Sequence, residues 1–106
     1  MAGQILSESD VAAGIAGLSP EWSGSARSLT RSIEFADGAA AAEFVNELSP
    51  ISDSLDHHAD LEVRQGSVDI VLTTHSAGGV TALDMQLAGK IDELAASLRQ
   101  AAGGKP

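Results

Sequence analysis

Along this chain, the spacing of the hydrophobic residues alternates between the three-to-four-residue period of a helix and the two-residue period of a strand. The clearest helical period lies in the C-terminal part, where hydrophobic residues recur every three or four positions: Leu83, Leu87, Ile91, Leu94 and Leu98. Thr81 precedes this run and is predicted to cap the helix. A chain with segments of both kinds is neither all-helical nor all-β, so the order of the segments decides the fold.

Two further helices are predicted upstream. The first covers residues 7–16, with Ser7 as its N-cap and acidic residues in its first turn. Asp37 caps the second, whose alanines favour a helix that continues to about Leu55. Pro50 lies inside that segment, where a proline removes one backbone hydrogen bond at a cost of about 3 kcal/mol. We therefore expect the second helix to kink or to restart at Pro50.

Two hairpins are predicted between the helices. The first joins a short segment around Trp22 to a strand in which Ile33 and Phe35 alternate with polar residues. The second joins residues 61–65 to a β-branched strand at residues 68–74 through a tight turn at Gly66. The order helix, hairpin, helix, hairpin, helix predicts a two-layer α+β fold, with a four-stranded antiparallel sheet and the helices packed on one face.

The length of 106 residues fits a single domain over residues 1–106, with a core at about residues 6–98 and a frayed tail at residues 102–106. Hydrophobic residues make up 43% of the chain, but much of that share is alanine and only 3% of the chain is aromatic. So light a core, beside an uncovered sheet face and sheet edge, predicts that copies of the chain associate.

The charge and the residue types exclude several classes of protein. The formal net charge of −9 would repel a nucleic-acid backbone and an anionic membrane surface, so neither is an expected partner. The chain has no cysteine, which excludes disulfides and cysteine ligands to zinc. No apolar run approaches the roughly 20 residues of a membrane-spanning helix. We therefore expect a cytoplasmic protein.

All three histidines lie in one short stretch, at His57, His58 and His75. The first two are predicted at the end of the second helix, with Asp53 one helical turn before His57, so that those two side chains can meet. Imidazole exchanges protons near neutral pH, which predicts an acid/base pair oriented by a carboxylate. Two alternatives remain open: exposed histidines at a helix C-terminus, and a zinc site, which the diverging directions of His57 and His58 disfavour.

Residues 53–60 read DSLDHHAD, residues 73–81 read TTHSAGGVT, and Asp84 follows. An acidic residue lies four positions before a His-His pair, and a strand ends in Thr-Thr-His. A Gly-Gly turn comes next, with an Asp nine positions after the last His. This combination resembles the signature of the pterin-4a-carbinolamine dehydratases, and the resemblance extends from about Leu6 to Leu94.

The resemblance implies an α+β subunit that forms homodimers or homotetramers and uses no metal and no cofactor, the pterin being the substrate. It implies dehydration of a 4a-hydroxy-tetrahydropterin, released by aromatic amino acid hydroxylases, to quinonoid dihydropterin in tetrahydrobiopterin recycling. By the same resemblance, His57 and His75 are the acid/base pair and His58 helps to hold the pterin. The implied substrate-binding residues are Asp53, Asp60, Thr73, Thr74 and Asp84.

The resemblance also leaves a different class of function open. Some relatives bind proteins, as dimerisation partners of a transcription factor or as assembly factors of another enzyme, and these tend to lose the histidines that this chain keeps. Ala59, Gln65 and Asp53 depart from the family pattern, in which a proline, an aromatic residue and a glutamate are usual. A weakened activity and a pterin binder without turnover are therefore further alternatives.

Overall fold

The computed structural model of the protein describes residues 4–103, with side chains as far as residue 98. The elements follow the predicted order: α1 (Glu8–Ala16), β1 (Ser23–Gly24), β2 (Leu29–Glu34), α2 (Gly38–Leu55), β3 (Asp60–Arg64), β4 (Ser67–Leu72) and α3 (Ala82–Gly103). The predicted α+β class is confirmed. Of the predicted frayed tail, residues 104–106 lie outside the described residues. None of the described helices is both long and apolar enough to cross a membrane.

The four strands form one antiparallel sheet in the order β1-β2-β4-β3. The strands of each hairpin pair with each other, and the two hairpins join where β2 lies beside β4. Leu29 is opposite Leu72 and Ile33 is opposite Val68. Alternate residues of both strands therefore face the helices, and the other sheet face carries polar residues such as Ser32.

The core lies between that sheet face and the two long helices. Phe44 and Leu48 of α2 are at most 2% exposed, and Leu87 and Ile91 of α3 are fully buried. The sheet supplies a second set of buried side chains: Leu29, Ile33, Val68, Ile70 and Leu72. Burying one side chain of this size contributes about 1.5–3 kcal/mol, so these two layers hold the helices on the sheet.

The starts of the first two helices follow from the local sequence. The Ser7 hydroxyl accepts a hydrogen bond from the Asp10 N–H at 3.1 Å, and the Asp37 carboxylate accepts one from the Ala40 N–H at 2.9 Å. Each bond satisfies a backbone donor of the first helical turn that has no partner within the helix. Both predicted N-caps are confirmed.

α2 runs through Pro50 as one helix. Of the two predicted alternatives, the restart at Pro50 is wrong and the kink stays a prediction. Buried side chains lie on both sides of the proline, at Leu48 and Ser52, and hold this segment against the core. Tertiary packing of a buried helix face is the main source of helix stability in proteins, so it offsets the hydrogen bond that the proline removes.

Both long strands are shorter than predicted. β2 ends one residue before Phe35, and β4 ends two residues before Thr74. Thr74 forms only an isolated bridge with Gly79, because the chain turns back between them. Gly78 has a φ of 85°, in the left-handed region that glycine adopts without steric strain. This turn places His75, the residue after Thr74, at the end of the sheet.

Ion pairs of a buried arginine, which no sequence pattern predicts, connect α3 to the sheet. Arg31 lies on the core-facing side of β2, is 6% exposed, and pairs with Asp92 of α3 and with Glu21. The Trp22 indole N–H donates to Asp92 at 2.7 Å. The guanidinium carbon lies 5.9 Å from the centre of the Trp22 ring, a distance at which cation–π attraction contributes. The segment before β2 is thereby fixed against the C-terminal helix.

Candidate active site

Each of the three histidines lies against a different aspartate. The shortest distances between a ring nitrogen and a carboxylate oxygen are 2.5 Å for His57 and Asp84, 2.9 Å for His58 and Asp53, and 3.5 Å for His75 and Asp60. A carboxylate beside an imidazole orients the ring and decides which nitrogen is left for other partners. Six of the eight predicted candidate residues therefore fall into three pairs.

The pairing of the adjacent histidines follows from the end of α2. The helix ends at Leu55, and Asp56 adopts a left-handed conformation with a φ of 51°. Both histidines consequently lie in the loop before β3, and the prediction that they end the helix is wrong. The predicted approach of Asp53 to His57 is also wrong, because the change of direction at Asp56 brings His58 back to Asp53 instead.

Asp84 lies in the first turn of α3 and has no exposed surface. Its Oδ2 accepts a hydrogen bond from the Thr81 backbone N–H at 2.9 Å and lies 2.8 Å from Thr74 Oγ1. The hydroxyl oxygens of Thr74 and Thr81 are 2.8 Å apart, and both residues are buried. Its Oδ1 faces His57, whose side chain is 10% exposed. Because its other oxygen is bonded to Thr81 and Thr74, the Asp84 carboxylate has a fixed orientation and fixes the position of the His57 ring.

The other two pairs lie at the surface. The side chains of His58 and His75 are 60% and 80% exposed, and those of Asp53 and Asp60 are 70% and 68% exposed. Even between two charged groups, an exposed contact of this kind contributes only about 0–1 kcal/mol. The surface pairs therefore orient their imidazoles much less firmly than Asp84 orients His57.

The turn after β4 is bound to the segment that precedes β2. The Thr73 hydroxyl donates to the Arg27 carbonyl at 2.7 Å, and the Val80 N–H donates to the Ala26 carbonyl at 2.8 Å. A Cβ added to Gly79 would lie 2.6 Å from the Ala26 carbonyl oxygen, so only glycine fits there without a shift of the backbone. The predicted contact of Thr73 with the pterin stays a prediction.

A cleft of about 150 Å³ lies between α2 and β3, next to one of the surface pairs. Its walls are mostly apolar, and it is lined by Val45, Leu48, Ser49, Ser52, His58, Ala59 and Leu61. His57 and His75 do not line this cleft. They are connected to each other through Asp84 and Thr74, since Thr74 bonds to Asp84 and is followed directly by His75.

The arrangement is suited to moving protons. Among the side chains that the structure describes, no three from His, Cys, Asp or Glu are grouped so that they could hold a metal ion. Each imidazole instead has a carboxylate of its own. An imidazole oriented by a carboxylate can give a proton to a bound molecule or take one from it.

The contact between Thr74 and Thr81 was not predicted. The contact between Thr81 and Asp84 has a local signal: Asp84 follows Thr81 by three residues, and its carboxylate accepts a hydrogen bond from the Thr81 backbone N–H. This is the spacing of a capping box. The approach of Thr74 to both residues joins two elements across the fold and has no local pattern.

Comparison with known proteins places the chain in a family. Residues 4–94 match the family model described as pterin 4 alpha carbinolamine dehydratase. A protein of Metallosphaera sedula, whose name assigns it provisionally to the pterin-4-alpha-carbinolamine dehydratases, is 50% identical over 66 residues. The aligned part is 62% of this chain and 69% of that protein.

Two solved structures resemble this one. A transcriptional coactivator/pterin dehydratase from Brucella melitensis is 33% identical, with a TM-score of 0.80 over 85% of this chain and 97% of that chain. A pterin dehydratase-like protein, described as a RuBisCO assembly factor in the alpha-carboxysome, is 21% identical, with a TM-score of 0.57 over 70% of this chain and 86% of that chain. The second likeness shows the fold alone. The matched region contains all three histidine–aspartate pairs, and the chain belongs to the pterin 4 alpha carbinolamine dehydratase family.

Proposed function

We propose that this protein dehydrates a 4a-hydroxy-tetrahydropterin to quinonoid dihydropterin by histidine general acid/base catalysis, as a step in tetrahydrobiopterin recycling. The observation that carries the proposal is the pairing of each histidine with its own aspartate, within the region that matches the family. The pterin is the substrate, and the proposed reaction uses no metal and no prosthetic group.

The reaction requires two proton transfers. The C–O bond at the tetrahedral ring carbon breaks, and its electron pair leaves with the oxygen, which takes up a proton and departs as water. The neighbouring ring nitrogen loses its proton, and the freed electron pair forms the C=N bond. One protein group therefore gives a proton while another accepts one, and imidazole can perform either task near neutral pH.

His57 and His75 are assigned to these two tasks. His57 is the fixed member of the pair, because the buried Asp84 holds its ring. His75 is the exposed member, with Asp60 beside it at the end of the sheet. A bound pterin that touches both rings has its proton donor and its proton acceptor in place, which removes the need for a chance encounter.

His58 and Asp53 are proposed to hold the pterin. His58 borders the cleft between α2 and β3 and keeps more than half of its side chain exposed. A polar group at the edge of an apolar cleft can fix the orientation of a flat heterocycle that packs against it.

We also propose that the subunits associate into a homodimer or a homotetramer. β3 lies at one edge of the described sheet, and Val63 of this strand is 53% exposed. An edge strand with an exposed hydrophobic residue favours pairing with a second chain. Light scattering over a range of protein concentrations is expected to give a multiple of 10.8 kDa, and a monomer at every concentration would contradict this.

The decay of 4a-hydroxy-tetrahydropterin, followed by ultraviolet absorbance, tests the enzymatic proposal. Wild-type protein is expected to accelerate the decay, and His57→Ala and His75→Ala are each expected to be slower by about a hundredfold, the low end of the range for one acid or base. Glu43→Gln on the exposed side of α2 is the matched control and keeps the full rate. A folded wild-type protein without acceleration would sink the proposal and favour the protein-binding alternative.

A further inference from the structure

We propose that Thr74 and Thr81 are positioning residues that fix the proton on Nε2 of His57, so that Nδ1 is the nitrogen that exchanges a proton with the substrate. The inference deepens the proposed function and rests on it for the role of the substrate. The position of the proton, however, is a property of the free protein and can be measured without turnover.

The first step is to establish which groups donate hydrogen bonds to Asp84 Oδ2. The Thr81 backbone N–H, 2.9 Å away, can only donate a hydrogen bond. Thr74 Oγ1 lies 2.8 Å from the same oxygen. The Thr74 hydroxyl donates to this oxygen as well, so that Oδ2 accepts two hydrogen bonds, as an ionised carboxylate oxygen can.

The second step gives the contact between the two threonines a direction. A hydroxyl has one proton to donate, and Thr74 directs its proton at Asp84. The 2.8 Å contact between the two Oγ1 atoms then requires Thr81 to be the donor and Thr74 the acceptor. Protons thus point one way, from Thr81 to Thr74 to Asp84. At most 7% of the surface of any of the three residues is exposed, so water does not compete for these bonds.

The third step concerns Asp84 Oδ1, which lies 2.5 Å from His57 Nε2. An ionised carboxylate oxygen can only accept hydrogen bonds. The proton between these atoms therefore belongs to nitrogen, and Nε2 donates to Oδ1. Within the described residues no other group bonds to the His57 ring, and 10% of the side chain is exposed. Nδ1 is consequently the nitrogen that gains or loses a proton.

The two threonines act through the carboxylate. Without the Thr74 hydroxyl, Oδ2 loses one of its two donors and Thr81 loses the acceptor of its proton. The carboxylate can then rotate and use either oxygen for His57. We therefore expect Thr74→Val, which keeps the shape of the side chain, to loosen the bond between Asp84 and His57. Thr74→Ser keeps the hydroxyl and restores the bond.

The test is a two-bond ¹H–¹⁵N correlation spectrum of the full-length protein, recorded over a range of pH that includes the form of His57 with a single ring proton. His57→Gln identifies the signals of His57 by their loss. In the wild type we expect a protonated-type Nε2, an unprotonated-type Nδ1 and a slowly exchanging Hε2 proton. In Thr74→Val this proton is expected to exchange about tenfold faster, as the loss of one hydrogen bond implies, while Thr74→Ser keeps the wild-type rate.

Two further variants distinguish a specific effect of these hydroxyls from a general effect of removing a threonine. Thr81→Val removes only the donor to Thr74 and is expected to have a smaller effect in the same direction. Thr30→Val, on the outer face of the sheet, removes a hydroxyl whose partner among the described residues is Ser23, and it is the matched control. In the decay assay, Thr74→Val is expected to lower kcat with little change in KM, and Thr74→Ser to restore it.

The outcomes separate the two proposals. A protonated-type Nδ1 in the wild type, or Hε2 exchange and kcat that do not change in Thr74→Val, would overturn the positioning role. A wild-type spectrum as expected, without any acceleration of pterin decay, would overturn the proposed function and leave the position of the proton established.

Discussion

Asp84 Oδ1 lies 2.5 Å from His57 Nε2, although 27 positions separate the two residues along the chain. Asp84 belongs to the first turn of α3, and His57 belongs to the loop that follows α2. The pair therefore depends on how the two long helices pack, since α2 lies along α3 in the core. A change that displaces one helix against the other also displaces the proposed acid/base group.

Replacing Asp84 by asparagine is expected to lower the dehydration rate by about 10- to 100-fold, because the ring of a general acid or base loses its fixed orientation. Asparagine has one acceptor oxygen, whereas the Asp84 carboxylate serves His57 with one oxygen and Thr81 and Thr74 with the other. Either group of donors is left without its acceptor. The decay assay measures the rate, with Asp10→Asn on the surface of α1 as the control. An unchanged rate would show that Asp84 does not orient His57.

Truncating a buried core side chain of α2 is expected to cost far more stability than truncating an exposed side chain of similar size. The Leu48 side chain is 2% exposed, so Leu48→Ala leaves a cavity in the core. Such changes cost about 2–5 kcal/mol. Ile5→Ala shortens a side chain that is 47% exposed, with an expected cost below about 1 kcal/mol. Urea denaturation measures both free energies of unfolding. Equal costs would mean that α2 does not pack on the sheet as described.

Removing Asp92 is expected to destabilise the protein by about 3–5 kcal/mol, because a buried cation then loses a partner. Asp92 accepts from Arg31 and from the Trp22 indole, and the Arg31 side chain is 3% exposed. Adding Arg31→Met to Asp92→Ala removes the buried charge. The double variant is therefore expected to be more stable than Asp92→Ala alone. Urea denaturation of both variants decides this, and a further loss of stability in the double variant would contradict it.

On the outer face of the sheet, Asp69 makes a contribution to stability that is lost in acid. The Ser32 hydroxyl, and after it Arg64, donate hydrogen bonds to Asp69 and lower its pKa below the ordinary value of 3.8. The Asp69 carboxylate in turn raises the pKa of Arg64. Because the pKa of Asp69 is lower in the folded state, ionised Asp69 stabilises the fold above its unfolded pKa. This contribution is lost as the pH falls through the folded pKa.

We therefore expect Asp69→Asn to lower Tm at neutral pH, and the difference from the wild type to vanish under strongly acidic conditions. The effect is small, since the group is exposed to solvent and screened. Thermal melts of both proteins across the acidic range measure it, with Glu47→Gln on α2 as the control. A difference in Tm that stays constant down to acidic pH would show that the ionised carboxylate is not the cause.

The element order and the family could be predicted from the sequence because their signals are local. Ser7 and Asp37 mark helix starts through bonds to residues three positions away, and the spacing of the histidines is visible along the chain itself. Such patterns depend only on the period of the backbone and on the chemistry of the caps.

The partners of the candidate residues could not be predicted in the same way. Asp53 pairs with His58 because Asp56 takes a left-handed conformation, which non-glycine residues adopt only occasionally. Arg31 pairs with Asp92 across 61 positions, and a charged residue on a strand ordinarily predicts an exposed face. Each of these contacts depends on where distant elements come to lie in the folded protein.

Because Gly79 closely approaches the Ala26 carbonyl, the length of the segment between β1 and β2 affects the geometry of the candidate active site. That segment accepts hydrogen bonds from both sides of the turn that carries His75. One residue more or one fewer between β1 and β2 would move His75, while His57 would stay fixed in the interior by Asp84. The distance between the two imidazoles therefore depends on a segment that contains none of the candidate site residues.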